Sequence, residues 1–191
     1  MLSKQYGRIF VISAPSGTGK TTIGRKLGEL IPEIQLIVSY TTKKPRSEEK
    51  EGINYHFITE TRFKEMIENG EFAEWAKVYG NYYGTPKNEI LKGLGKNRKV
   101  LLTIDTQGGR SIAEKFPEAV LIGILPPSLK EQERRIRNRS ALSEEEICRR
   151  MSAAKEERKT LLNEYNFRLI NKNLESTIKK IAGIITKGSK Y

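Results

Sequence analysis

Short apolar runs alternate with segments of helical spacing along most of the chain. Residues 9–12 and 120–125 are nearly unbroken apolar stretches, and such stretches are typical of strands that are buried on both faces of a parallel sheet. Between them, Ile23, Leu27 and Leu30 recur at the spacing of one helix face. This alternation predicts an α/β fold in which parallel strands are joined by right-handed helical crossovers.

The middle of the chain departs from that alternation. "IQLIVSY" (residues 34–40) predicts a second strand, and "INYHFI" predicts another short extended segment. A helix in "TRFKEMIENG" is expected to end at Gly70. "FAEWAKVYGNYYGTP" is rich in aromatic residues and glycine, which favours short strands and turns, with Trp75 packed inside. The pattern predicts a small insert between two core strands.

A glycine-rich turn follows the first strand. "VISAPSGTGKTT" (residues 11–22) fits the P-loop spacing, in which backbone N–H groups and a helix N-terminus surround a phosphate chain. Lys20 is expected to reach the β- and γ-phosphates, and the Thr21 hydroxyl to bind Mg²⁺. Ala14 replaces the first glycine of the pattern, which a negative φ would allow. The alternative is a glycine-rich turn without a ligand. The predicted ATP-binding residues of this loop are Ala14, Pro15, Ser16, Gly17, Thr18, Gly19, Lys20, Thr21 and Thr22.

The composition describes one basic domain. The chain has 191 residues and a formal net charge of +12, so affinity for polyanions is expected. Many basic residues lie in separate segments, such as "TTKKPR" and "RRIRNR", rather than in one stripe interleaved with aromatic residues. This distribution favours small phosphorylated ligands bound from several sides over nucleic acid.

The sequence also predicts a cytoplasmic location without a membrane segment. No apolar run approaches the roughly 20 residues that a spanning helix needs, and the start of the chain lacks the pattern of a signal peptide. A single cysteine, Cys148, cannot form an internal disulfide bond. The oligomeric state stays open.

Several motifs together resemble the guanylate kinase family over nearly the whole chain. They are "SAPSGTGKTT", "VSYTTKKPR", "GINYHF", "FAEWAKVYGNYYGT", "IDTQG", "LPPS", "RRIRNR" and "RRMSAA", in the family's order. The resemblance implies a kinase that transfers the γ-phosphoryl group of ATP to GMP, and also to dGMP, with Mg²⁺. It implies a three-layer P-loop core with a parallel sheet, a small mixed α/β insert that binds GMP, and a helical lid. The expected bounds are 1–37, 99–134 and 151–191 for the core, 38–98 for the insert and 135–150 for the lid.

The resemblance also implies roles for individual residues. Glu74 would accept the N1–H and 2-amino groups of guanine, and the Thr85 hydroxyl would donate to O6. The implied ligands of the GMP phosphate are Ser39, Lys43, Arg46, Tyr55 and Tyr83. The implied catalytic residues are Lys20 of the phosphate loop and the lid arginines Arg135, Arg139 and Arg150. Asn171 is expected to lie near the adenine end of the ATP site. Asp105 is expected either to hold a metal ion through water or to contact guanine, and the sequence leaves both roles open.

Four departures from the family pattern keep other functions open, and two of them are "NRS" at 138–140 and "INKN" at 170–173. Lys43 replaces an arginine, and Thr103 replaces an aspartate near the expected metal position. One alternative is a P-loop kinase with a different phosphate ester as acceptor. Another is a non-catalytic binding module, and a third, motivated by the charge, is a nucleic-acid-binding protein.

Overall fold

The computed structural model describes residues 8–139 and 143–187, with the side chain of Arg139 left out. The chain forms nine strands and seven helices within these ranges. The strands are β1 (Ile9–Ser13), β2 (Ile34–Leu36), β3 (Tyr40–Thr41), β4 (His56–Phe57), β5 (Phe72–Val78), β6 (Asn81–Pro86), β7 (Lys99–Thr103), β8 (Val120–Leu125) and β9 (Phe167–Ile170). The helices are α1 (Lys20–Leu30), α2 (Glu60–Glu68), α3 (Lys87–Gly95), α4 (Thr106–Lys115), α5 (Leu129–Arg139), α6 (Glu144–Glu164) and α7 (Leu174–Lys187).

A five-stranded parallel sheet forms the centre of the core, in the order β2-β7-β1-β8-β9. Every residue of β1 and β8 is buried, as expected for strands covered on both faces. Helices α1 and α7 cover one face through Ile23, Leu27 and Ile181. Residues of α3, α4 and α6, such as Ile112 and Leu161, cover the other face. The predicted three-layer parallel core is confirmed.

The insert forms a separate four-stranded sheet in the order β4-β3-β6-β5. Strands β3 and β4 are parallel, whereas the β3–β6 and β5–β6 pairs are antiparallel, so the sheet contains both strand directions. Helix α2 packs on it through Phe63, which is buried and whose ring stacks on Phe72 with centroids 4.5 Å apart. The insert therefore has a small core of its own.

The single strand predicted for residues 34–40 is wrong. Residues Ile34–Leu36 pair with β7 in the core sheet, whereas Tyr40–Thr41 pair with β4 and β6 in the insert sheet. The apolar run continues across both segments because each one is buried in a different sheet. Ser39 lies just before β3, where the chain passes from the core to the insert.

Two other features of the insert differ from expectation. Trp75 is 47% exposed rather than packed inside, because it alternates in β5 with the buried residues Glu74 and Ala76. Helix α3, which follows the insert strands, is not among the predicted elements.

Among the residues described, no helix is long and apolar enough to cross a membrane.

Candidate active site

One large cavity of about 850 Å³ lies where the core, the insert and helices α5 and α6 meet. It opens beyond the carboxyl ends of β1 and β7, where α/β folds usually bind ligands. Among its lining residues are Ala14 to Thr22 of the phosphate loop, Ser39, Lys43, Arg46, Tyr55, Glu74, Tyr83, Asp105, Arg135 and Arg150. Most of the predicted site residues, which are far apart in sequence, are thus brought together. Thr85 and Asn171 lie behind the lining, and the side chain of Arg139 lies outside the described residues.

The phosphate loop adopts the left-handed conformations that its glycines permit. Gly17 has φ 81° and Gly19 has φ 94°, which side chains rarely adopt. Ala14 is not among the described non-glycine residues with positive φ, so the alanine fits the turn. Lys20 and Thr21 are the first two residues of α1, where backbone N–H groups and the helix dipole favour an anion.

Groups behind the loop hold it in place. The Asn171 side chain donates to the Thr18 carbonyl at 2.9 Å and accepts from the Thr177 hydroxyl at 3.1 Å. From α5, the Gln132 side chain donates to the Ser16 carbonyl at 3.1 Å. Asn171 is 5% exposed, so its observed contacts support the phosphate loop.

Glu74 and Thr85 form a buried pair on adjacent strands of the insert. They are 6% and 0% exposed, and they stand opposite each other in the β5–β6 register. The Thr85 hydroxyl donates a short hydrogen bond to Oε1 of Glu74. Thr85 therefore orients the carboxylate in this structure, and its contact with the guanine O6 atom stays a prediction. A Cβ atom at Gly108 would lie 2.6 Å from Oε2 of Glu74, so α4 encloses the carboxylate from the other side.

Burial also changes the protonation of Glu74. It raises the pKa of this carboxyl to about 7, although the hydrogen bond from Thr85 acts in the opposite direction. The charge of Asp105 raises the pKa further, whereas those of Lys20 and Lys115 lower it. The ionised form of Glu74 therefore needs the nearby positive charge, or donors from a ligand.

Asp105 lies between the Glu74–Thr85 pair and the phosphate loop. Its carboxylate caps α4 by accepting a hydrogen bond from the Gly108 N–H at 2.8 Å, and its carbonyl accepts one from the Ser13 hydroxyl at 3.1 Å. The negative charge of Asp105 acts on both Glu74 and Glu157. Asp105 thus lies between the phosphate loop, where a metal ion is expected, and Glu74, where guanine is expected.

Cations and hydroxyls surround the part of the cavity in the insert. Lys43 Nζ lies 2.6 and 2.5 Å from the two carboxylate oxygens of Glu49, which also accepts the Arg46 N–H at 2.9 Å. Burial opposes the ionisation of Glu49, but the hydrogen bonds from Lys43 and Arg46 outweigh it and lower its pKa.

Two tyrosines lie in the same part of the cavity, and the rings of Tyr55 and Tyr83 meet edge to face with centroids 5.8 Å apart. Burial, with a smaller effect of Tyr55, raises the pKa of Tyr83 to about 12, so its hydroxyl remains a donor.

The arginines from α5 and α6 reach the cavity while bound to glutamates of their own helices. Arg135 Nε donates to Glu131 at 2.8 Å, and Arg150 Nε donates to Glu146 at 2.9 Å. Both pairs are separated by four residues, the spacing at which helical side chains are neighbours. Each arginine is therefore near the cavity and already paired with a carboxylate.

Several cavity residues were not predicted from the sequence, and Glu157 on α6 is the clearest. Its Oε2 atom is buried and has no hydrogen-bond partner. Burial raises the pKa of Glu157 to about 7, against the charge of Lys20 and together with that of Asp105. Glu157 follows Arg150 by seven residues, which is two helical turns, and this spacing could have indicated a shared face. Glu49 and Tyr79 were also missed.

The oxygen ligands that line the cavity suit a metal ion that is bound together with a nucleotide. Within residues 8–139 and 143–187, no group of three or more His, Cys, Asp or Glu side chains could hold a metal. The hydroxyl of Thr21 and the carboxylates of Asp105 and Glu157 line the cavity instead. Mg²⁺ is usually bound by one or two such groups together with phosphate oxygens and water.

Comparisons with known proteins agree with this geometry. A sequence model described as Guanylate kinase matches residues 6–188. The chain is 47% identical to a guanylate kinase of Caldanaerobacter subterraneus subsp. tengcongensis, covering 97% of this chain and 89% of that protein. It is 46% identical to a guanylate kinase of Clostridioides difficile, over 94% of this chain and 87% of that one. A crystal structure of guanylate kinase from Anaplasma phagocytophilum superposes with a TM-score of 0.82, at 32% identity, covering 97% of this chain and 88% of that one.

Proposed function

The chain belongs to the guanylate kinase family, and from that premise we propose that it transfers the γ-phosphoryl group of ATP to GMP, giving ADP and GDP. The observation that carries this proposal is the buried Glu74–Thr85 pair, which lies in the insert beside the cavity of the phosphate loop. A site for a purine with adjacent donors and a site for a phosphate chain thus belong to one cavity.

Glu74 is the residue that distinguishes guanine from adenine. A carboxylate can accept from N1–H and the 2-amino group together, and adenine lacks this pair of donors. Thr85 keeps one carboxylate oxygen in place, while α4 encloses the other near Gly108. Adenine would leave the buried carboxylate without that pair of donors, and such mismatches reject substrate analogues by about 10⁴-fold.

The GMP phosphate binds in the insert among cations and hydroxyls. Arg46 and Lys43 supply positive charge there, and Tyr55 and Tyr83 supply hydroxyl donors, with Ser39 at the edge next to the core. The pairing of Lys43 with Glu49 holds the ammonium in the cavity. A dianionic phosphate would meet a site whose donors already lie along the cavity.

Phosphoryl transfer requires alignment and charge neutralisation rather than a protein nucleophile. Lys20 and the loop N–H groups hold the ATP phosphates, and a phosphate oxygen of GMP attacks the γ-phosphorus in line. Arg135 and Arg150 neutralise the transferring group after exchanging their glutamates for its oxygens. We assign Arg139 the same role from its matched motif. Closure of the lid would exclude water, which would otherwise hydrolyse ATP.

We propose Mg²⁺ as the cofactor, held by the Thr21 hydroxyl and the ATP phosphates, with Asp105 acting through water. The bound ion supplies additional neutralisation of the phosphate charge.

Asn171 supports the nucleotide site through the Thr18 carbonyl. The proposal keeps the expected bounds of 1–37, 99–134 and 151–191 for the ATP-binding core, 38–98 for the GMP-binding insert and 135–150 for the lid, although α3, which falls within 38–98, packs on the core sheet. Use of dGMP and a cytoplasmic location also belong to this proposal.

The test is the production of ADP and GDP from Mg-ATP with GMP, dGMP, AMP, CMP and UMP offered in turn. Transfer confined to guanine nucleotides is the expected result. ADP formation with another acceptor would point to a different P-loop kinase. Binding of ATP without transfer to any acceptor would point to a non-catalytic module.

A further inference from the structure

An unusual turn lies between the two long strands of the insert. Val78 pairs with Asn81, so β5 and β6 are joined by the two residues Tyr79 and Gly80. Their φ angles are 48° and 82°, as in a hairpin turn in which both central residues are left-handed. Asparagine or glycine is usual at the first position of such turns, and a bulky residue is strained there.

The strained residue places its ring against an arginine of another part of the fold. The Arg150 guanidinium of α6 lies 4.9 Å from the centroid of the Tyr79 ring. Both residues line the cavity, and burial raises the pKa of Tyr79 to about 12. Arg150 is held on another side by Glu146 at 2.9 Å. The ring and the glutamate therefore restrict the arginine from two directions.

Strain at one residue often persists where the conformation serves a function. The other described non-glycine residue with positive φ is Asn97, at 54°. Asn97 is exposed, lies between α3 and β7, and is of a type that tolerates this conformation. Tyr79 differs because its ring contacts a cation that the proposed function places at the transferring phosphoryl group.

We propose that Tyr79 is a positioning residue for phosphoryl transfer, which fixes the Arg150 guanidinium at the cavity through the face of its ring. This inference rests on the proposed function, because the role of Arg150 does. The Tyr79 contact connects the insert that binds GMP to the helix that carries the arginine. Binding of GMP in the insert would then place Arg150 together with the acceptor phosphate.

The test compares Tyr79→Asn, Tyr79→Phe and the control Asn97→Gly in the coupled assay with Mg-ATP and GMP. Tyr79→Asn removes the ring and suits the turn, so we expect kcat to fall roughly 3- to 30-fold, the range of cation–π contacts. The KM for GMP should change by less than about twofold, because Tyr79 is not assigned to the GMP phosphate. Tyr79→Phe keeps a ring and should retain at least about half of the wild-type kcat. Asn97→Gly should leave kcat unchanged.

Repeating Tyr79→Asn in an Arg150→Ala background separates positioning from a structural role. If the ring acts through Arg150, the second substitution should change kcat by less than about twofold there. An equal loss in both backgrounds would overturn the inference. So would a loss in Tyr79→Phe as large as in Tyr79→Asn, since the hydroxyl would then be responsible.

Two further readouts complete the test. The thermal midpoint of Tyr79→Asn should stay within about 4 °C of the wild type, because relief of turn strain offsets the lost contact. A larger decrease would indicate a structural role and overturn the inference. A wild-type protein that makes no GDP would contradict the proposed function itself, and this inference with it. Wild-type GDP production with an unaffected Tyr79→Asn variant would contradict the inference alone.

Discussion

The guanine end of the cavity and its arginine end are built in opposite ways. Glu74 is buried, and its carboxylate is held between Thr85 and the start of α4. Arg135 and Arg150 are instead paired with glutamates on their own helices, with arginine side chains 27% and 17% exposed. The Glu74–Thr85 pair is thus in place without a ligand, whereas under the proposed function the arginines must exchange partners to reach a phosphate.

This difference separates specificity from catalysis. A buried carboxylate without suitable donors is costly, so we expect the proposed base site to reject wrong bases strongly. Each arginine is paired with a glutamate of its own helix, so phosphate oxygens can replace the glutamates without breaking a contact between different elements. The molecule thus combines a rigid site for recognition with arginines whose glutamate partners can be exchanged for phosphate oxygens, while Tyr79 keeps the Arg150 guanidinium at the cavity.

Loss of the phosphate-loop lysine is expected to have the largest effect on catalysis. Lys20→Ala should lower kcat by about 10³-fold, because a preorganised charge at the transferring group is lost. GMP binding, measured by calorimetry, should stay within about threefold of wild type because the insert is unchanged. Lys26→Ala on the exposed side of α1 is the matched control. Unchanged turnover in Lys20→Ala would remove the phosphate loop from the reaction.

At the rigid end, Glu74→Gln should weaken discrimination between bases. An amide cannot accept from both guanine donors, so the ratio of kcat/KM for GMP to that for AMP should fall by about 10²-fold. Glu68→Gln at the exposed end of α2 serves as the control. If Glu74→Gln discriminates as well as wild type, Glu74 does not contact the base.

The same carboxyl predicts a pH dependence. Its pKa of about 7 means that acidification protonates Glu74, so the KM for GMP should rise roughly tenfold per pH unit below that value. Because this folded-state pKa lies above the unfolded value, the folded protein binds more protons between about pH 4.5 and 7, and stability falls as pH rises through that window. In Glu74→Gln, the part of the KM change and the part of the stability change that come from this carboxyl should both be lost. The KM for GMP against pH and urea unfolding against pH measure the two effects. Identical profiles in the variant would contradict the assignment.

The smallest effect is expected at the phosphate end of the insert. Lys43→Arg introduces a planar group that can bind phosphate through two N–H donors, so the KM for GMP should fall about threefold. Lys50→Arg, in the exposed part of the same loop, controls for added guanidinium. An unaltered KM in Lys43→Arg would mean that residue 43 serves Glu49 rather than the phosphate.

Much of the fold follows from local sequence patterns. The unbroken apolar runs of β1 and β8 and the helical spacing in α1 predicted the buried parallel core. The run at 34–40 was misinterpreted because burial in two different sheets leaves the same apolar signal as burial in one. Trp75 was misplaced because aromatic size does not reveal which face of β5 it occupies, and that depends on the register with β6.

The site followed from spacing where the residues form a motif, as in the phosphate loop. Glu157 and Tyr79 were missed because their roles depend on contacts between distant segments. The hydrogen bond from Thr85 to Glu74 was missed for the same reason, since it depends on strand register. Arg150 belongs to a motif that the sequence shows, but its contact with Tyr79 exists only in the folded molecule.

A crystal structure of the protein with GMP, Mg²⁺ and a non-hydrolysable ATP analogue tests the central contrast most directly. We expect Glu74 and Thr85 to stay within about 1 Å of their present positions, as in preorganised sites, and guanine to contact Glu74. Arg135 and Arg150 should have left Glu131 and Glu146 for phosphate oxygens. A base site that rearranges while both arginine pairs stay intact would contradict the account.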